Sequence, residues 1–164
     1  MTLALRPYRA ADQAACAAVF HRAVREGAAR FYDAAQREAW APAGSGADHA
    51  APDRLLAQWC VVAERDGRVA GFMSLTPRGY LDMAFVLPEE MGRGTAAALH
   101  DALLARARAA GLARLTTHAS HLARRFFARQ GWRVDAAETL ALRGQRLDRF
   151  AMSRDLREGA DVPA

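Results

Sequence analysis

The 164-residue chain contains no lysine, and each of its 23 basic residues is an arginine. This excludes a Schiff-base or general-base lysine, and a phosphate loop that relies on one. Cysteine is scarce as well. Cys16 and Cys60 are too few for a disulfide framework and lack metal-ligand spacing, so no metal is expected and a reducing cytoplasm is the expected compartment. No apolar run approaches the length that crosses a bilayer, so no membrane partner is expected. The segment Met1 to Arg9 lacks a basic stretch followed by an apolar core, the pattern of a secretion signal. Aromatic residues are few among the scattered arginines. A net charge of +5 and a pI ≈ 10.2 therefore read as a solvated basic surface with an anionic small-molecule site, and no nucleic-acid partner is expected.

What is present is an ordinary apolar fraction of 52%, in a chain long enough for one packed domain and too short for two. Leu3–Leu5 reads as a short strand before Arg6-Pro7. Asp12 is placed to cap a helix over Gln13 to Arg25, where Cys16, Val19, Phe20 and Val24 recur at helical spacing. A second helix covers Asp33 to Trp40, residues 43–47 form a flexible loop, and Pro52 to Gln58 reads as further helical turns. The period then changes. Trp59 to Glu64 and Arg68 to Thr76 are strand-like around the hairpin signal Asp66-Gly67, and Pro77-Arg78-Gly79 turns into Tyr80 to Val86. A helix from Thr95 to Ala110, a strand Leu115 to Ala119 and a helix Leu122 to Arg129 follow. Trp132 to Leu142 and Arg149 to Leu156 close the pattern, giving one domain over residues 1–156 with a tail from 157 to 164. The order predicts an α/β fold, a mixed sheet with helices on both faces.

The segment from Val86 to Leu99 carries the most chemistry. A strand ends, a turn of small residues follows, and a long helix begins. Gly92, Gly94 and Ala96 keep side chains away, so consecutive N–H groups can converge on one anion, with Arg93 adding charge. The helix start contributes unpaired donors and the positive end of its dipole. This is a pyrophosphate cradle by chemistry, or else a strand-to-helix turn whose glycines only relieve strain. It lacks the G-K-[ST] of a P-loop. Ala97 breaks G-x-G-x-x-G, and a Rossmann loop would follow the first strand of a βαβ unit.

Val86-Leu87-Pro88-Glu89-Glu90-Met91-Gly92-Arg93-Gly94-Thr95-Ala96 resembles the acetyl-CoA loop of the GNAT superfamily of N-acetyltransferases, V-x-P-x-x-[RQ]-x-x-G-x-[GA]. Ala119 to Trp132 resembles the family's second block, N-x-x-A-x-x-[FL]-Y-x-x-x-G-[FY]. The element order agrees from Leu3 to Leu156, and Tyr80-Leu81-Asp82-Met83 with the paired Phe126-Phe127 is similar to the YafP-like bacterial branch. The resemblance implies a GNAT-type, mostly antiparallel sheet with a splay between strands 4 and 5. It implies N-acetyl transfer from acetyl-CoA as co-substrate, without a metal, to the primary amine of a small molecule or peptide. CoA is then expected on Phe85, Val86, Met91, Gly92, Arg93, Gly94, Thr95, Ala96, Ser120 and Phe127. The resemblance also admits a homodimer formed through late strands. Two positions depart from the pattern. Phe127 stands where many members carry the tyrosine that protonates the departing thiolate, and Ser120 stands where asparagine is common. With Met91, these departures keep open a second reading, an acyl-CoA-binding regulatory module without catalysis.

An attacking amine must lose a proton, so a base or a water chain is needed. Asp82, read on the strand face of Ala84 and Val86, is either that base or a solvent-facing residue near a strand end. His118 shares parity with Ser120 and can face Asp82 across the splay, as a base or as a structural histidine. Phe31, Tyr32, Trp40 and Trp59 frame an acceptor pocket or pack the core, with core packing favoured for Trp59. His21, His49 and His100 read as surface residues, and Cys16 as core. The proton route to the thiolate runs through His118, Ser120, His121 or water.

Overall fold

Asp66 and Gly67 take φ of 55° and 76°, the left-handed pair that a two-residue hairpin demands. They join β2 (Trp59–Arg65) to β3 (Arg68–Leu75), and a tight turn then leads into β4 (Tyr80–Val86), the meander expected from the sequence. β1 (Leu3–Pro7) adds antiparallel to β2. The computed structural model describes residues 2–42 and 52–157, so the loop at 43–47, His49 and the tail beyond 157 lie outside the described residues.

A second left-handed pair, Arg143 and Gly144 at 45° and 80°, joins β6 (Arg133–Leu142) to β7 (Gln145–Asp155). The last strand thus starts before Arg149, the start expected from the sequence, because arginine does not signal such a turn. Among the described residues, seven strands form one sheet in the order β1-β2-β3-β4-β5-β7-β6, where β5 is Arg114–Ala119. Only β4 and β5 run parallel, and their pairing is confined to Tyr80–Thr116 and Leu81–Thr117. Beyond Leu81 they part, which is the splay of this fold.

Helices cover both faces. On one lie α1 (Gln13–Arg22), a π turn (Ala23–Gly27), α2 (Ala34–Trp40) and α3 (Pro52–Leu56); on the other lie α4 (Thr95–Ala109) and α5 (His121–Arg129). The first helix does not run unbroken to Arg25, as its spacing predicts, but widens into the π turn after Arg22. Asp12 does not cap it with its side chain. The carboxylate instead takes Arg6 Nη1 and Nη2 and the Arg9 N–H, each at 2.8 Å, and these bonds hold its pKa below the ordinary value. Among the described residues, no helix is long and apolar enough to cross a membrane.

The larger core lies under α4, where Leu99, Leu103 and Ala107 meet Met73, Leu75, Leu115 and Phe127. Leu103 is 1% exposed. Leu103→Ala is expected to cost about 3 kcal/mol, from lost transfer energy plus a cavity that rigid neighbours cannot close. Urea unfolding checks this: the midpoint should fall at constant m-value.

Candidate active site

The strand, glycine turn and helix form where the composition predicts them. Val86 ends β4, a 3-10 turn spans Pro88–Glu90, and α4 starts at Thr95. Gly92 and Gly94 take φ of 78° and 83°, where L side chains are strained, and a Cβ at either position would meet nothing within 4 Å. Open space therefore faces these amides at the start of a 15-residue helix.

One buried carboxylate holds the loop in shape. Glu90, 4% exposed, accepts Thr95 Oγ1 at 2.6 Å and Arg65 Nε at 3.0 Å, with Arg93 Nη1 at 3.1 Å. Burial alone would raise its pKa; the Thr95 and Arg65 bonds and the Arg65 and Arg93 charges outweigh that and hold it below the ordinary value. The Thr95 hydroxyl is thus committed to the loop, which leaves its backbone N–H for an anion. Met91 lies across the π turn: a Cβ on Gly27 would stand 2.5 Å from its terminal methyl.

The splay exposes backbone polarity. Leu87 N–H donates to Ala70 C=O at 2.8 Å, so antiparallel alternation turns Phe85 and Met83 toward β3. Ala84 and Val86 then turn their N–H and C=O groups into the gap. Phe85 faces away from them and packs edge-on against Phe20, with ring centroids 5.0 Å apart. From this gap a cleft of ≈ 360 Å³ runs to the glycine turn, past Val86, Gly92, Gly94 and Ala96 on one side and Ser120 and Phe127 on the other. Met91 and Phe85 also line it, as do Ala23, Val24 and Trp40, of which only Trp40 is a pocket candidate from the sequence. Ser120 Oγ caps α5 by accepting Ala123 N–H at 3.1 Å. Phe127, 2% exposed, is wedged among Phe126, His100 and Trp132.

Asp82 is not on the face of Ala84 and Val86, where strict alternation would place it. The register passes from Ser74–Met83 to Leu75–Leu81, so Asp82 is the extra residue of a β-bulge and turns to the α3 side. There it takes Arg54 through two bonds, of 3.0 and 2.8 Å, and Gln58 Nε2 at 2.8 Å. Nothing in the sequence singles out either partner, although a carboxylate within an apolar strand calls for a counter-charge. His118, one position beyond the Leu81–Thr117 pair, shares a hydrogen bond of 2.9 Å between its Nδ1 and the Tyr80 hydroxyl, and its Nε2 lies 3.6 Å from Glu138. Arg149 Nε donates to the same Glu138 oxygen at 3.0 Å. Tyr80, His118, Glu138 and Arg149 thus form one polar chain across β4, β5, β6 and β7.

Other expectations resolve more simply. His100 is not a surface residue: it is 2% exposed and accepts Trp132 Nε1 at 2.9 Å, and burial lowers its pKa. It continues the Ala96, Leu103, Ala107 stripe, a periodicity legible in the sequence. Trp59 packs on the α4 side beneath Arg106, away from the cleft. Cys16 is core, and burial pushes its thiol up to about 12.

The parted strands, the glycine turn at the head of α4 and the cleft between them form one continuous groove in a mixed α/β fold. The chain belongs to the GNAT acetyltransferase family, whose Acetyltransferase (GNAT) domain it matches over residues 21–152. It is 31% identical to YafP of Escherichia coli (strain K12), an uncharacterised N-acetyltransferase, over 90% of this chain and 93% of that one. The crystal structure of a GCN5-related N-acetyltransferase from Rhodopseudomonas palustris superposes with a TM-score of 0.86 at 37% identity, covering 95% of this chain and 97% of that one. The fold of yncA from Salmonella typhimurium, solved with its cofactor acetyl-CoA, agrees at a TM-score of 0.68 and 24% identity, over 100% and 99% of the two chains.

Proposed function

We propose that this protein transfers the acetyl group of acetyl-CoA to a primary amine by direct attack, with both substrates bound together. The observation that carries the reading is the glycine cradle at the head of α4, open to solvent and continuous with the cleft into the splay. The amides of Gly92, Gly94, Thr95 and Ala96 hold the pyrophosphate through N–H donors and the helix dipole, while the Arg93 N–H is given to the Glu90 carbonyl at 3.2 Å. The Ala84 and Val86 backbone takes the pantetheine arm as an added strand and presents an N–H toward the reacting carbonyl. Met91, Phe85 and Phe127 supply apolar walls, and Ser120 a polar one. Bound there, acetyl-CoA supplies an activated acyl group as a thioester. Direct transfer agrees with the cysteines: both are buried in the core, and burial raises their pKa, so neither serves as a thiolate carrier.

Asp82 and His118 act on the acceptor side. His118 handles the proton, and Asp82 with Arg54 ties α3 to β4. Asp82→Asn is expected to lower kcat by about tenfold, as lost positioning, while acetyl-CoA affinity stays near normal. Isothermal titration with CoA and steady-state kinetics separate the two effects; a parallel loss of CoA affinity counts against the acceptor-side placement. The reading as a whole is tested by mixing acetyl-CoA with a panel of polyamines, amino acids, peptides and aminoglycosides, and following free thiol together with acetylated amine. CoA binding without transfer to any amine favours the non-catalytic module.

A further inference from the structure

We propose that Tyr80 is the catalytic proton carrier of this acetyltransferase, loaded and unloaded through His118, with Glu138 as the residue that positions and stabilises the protonated imidazole. The inference rests on the amine-acetylation reading. The need arises at Phe127, where a buried ring without a hydroxyl occupies the cleft position from which a tyrosine could serve the sulfur.

The chain has three tyrosines. Tyr8 is buried with Cys16, Cys60 and Leu55 beside β2, with β3 and β4 between it and the splay, and burial pushes it up to about 12. The Tyr32 hydroxyl donates to the Asp148 carbonyl at 2.7 Å and accepts the His121 N–H at 3.1 Å, both backbone groups, so it has no base to exchange a proton with. Tyr80 differs. Its hydroxyl meets His118 Nδ1 at 2.9 Å, and donation there fixes the tautomer that carries hydrogen on Nε2. Nε2 lies 3.6 Å from Glu138 Oε1, and Arg149 Nε holds the same carboxylate oxygen at 3.0 Å.

The position suits the task. Tyr80 and Leu81 are the last β4 residues paired to β5, and His118 is the first β5 residue beyond the pairing, so the couple stands at the apex of the splay. Among the described residues, Tyr80 is faced by Asp82 on β4, Arg54 on α3, His118 on β5, Glu138 on β6 and Arg149 on β7. Burial, then the Asp82 charge, raises its pKa against the pull of Arg149 and Arg54, which keeps the phenol protonated near neutral pH.

The proton balance closes. As the amine nitrogen bonds to the acyl carbon, its proton passes to the Tyr80 oxygen while the Tyr80 proton moves to His118 Nδ1. The C–S bond breaks, the thiolate leaves with the electron pair, and the proton returns from His118 through Tyr80 to sulfur. Amine and thioester become amide and thiol, and the three side chains end as they began.

Steady-state kinetics of the full chain with acetyl-CoA and an accepted amine test this. Tyr80→Phe, which keeps the ring, should lower kcat about 100-fold with little change in acetyl-CoA KM or CoA Kd. Glu138→Gln should lower kcat less, with Glu138→Asp partly restoring it. A merely structural tyrosine is distinguished by pH. Wild-type kcat should fall at alkaline pH as Tyr80 ionises, above the usual tyrosine value of about 10. A fluorinated, more acidic tyrosine incorporated at position 80 should move that limb to lower pH. An active wild type with Tyr80→Phe equally active, or an alkaline limb unmoved by fluorination, overturns the relay alone. A wild type that acetylates no amine overturns the functional reading and the relay with it.

Discussion

Gly94→Asp is expected to abolish CoA binding in a protein that remains folded. Gly94 sits at φ 83°, and a Cβ there would have nothing within 4 Å, so the substitution meets strain but no collision. Aspartate is among the residues that best tolerate this region, and the cost to the fold is about 1–2 kcal/mol. The effect on the ligand is larger. A carboxylate about 4 Å from a phosphate, in a partly shielded cleft, opposes binding by about 4 kcal/mol, close to a thousandfold in Kd. Calorimetric titration with CoA reads the loss, and a thermal melt of the free protein reports the fold. An unchanged Kd in the folded variant removes the cradle from the functional argument.

Glu90→Gln is expected to have the largest effect on stability of any single polar substitution at the site. Glutamine keeps the volume but takes away the charge that compensates Arg65, whose side chain is only 14% exposed. Breaking a buried pair from one side costs about 3 kcal/mol or more. For a chain of 164 residues that lowers Tm by roughly 6–12 °C. CoA affinity should fall as well, because Glu90 also holds Thr95 and Arg93 at the mouth of the cradle. The same pairing sets a pH dependence. With its folded pKa below the ordinary glutamate value of about 4.3, Glu90 contributes stability that is full above that value and is lost as pH falls through the folded pKa. Melts from pH 7 to pH 3 should show a steeper loss for the wild type than for Glu90→Gln. Parallel curves would mean that Glu90 contributes no charge-dependent stability.

The glycine turn before α4 is legible in the sequence because it depends on local backbone chemistry. Glycines at positions 92 and 94, ahead of an alanine- and leucine-rich helix, specify left-handed turns and bare amides wherever the rest of the chain goes. The meander is legible for the same reason, through Asp66-Gly67. Sequence and structure disagree where local rules meet tertiary ones. Strict alternation assigns Asp82 a face, and one bulge residue reverses it, because register is set by the partner strand. His100 reads as a surface histidine when a polar side chain is not counted in an apolar stripe, yet Trp132 bonds its Nε2 from a distant element.

By itself the sequence determined the order of elements, the mixed sheet, the glycine turn at the head of α4 and the absence of any catalytic lysine, since each follows from residue type and short-range spacing. Tertiary structure alone decided which polar groups act together. Tyr80 and His118 are 38 positions apart, and Glu90 and Arg65 are 25 apart. These pairs exist because neighbouring strands and the loop at the head of α4 bring them within bonding distance, and spacing along a chain carries no record of that approach.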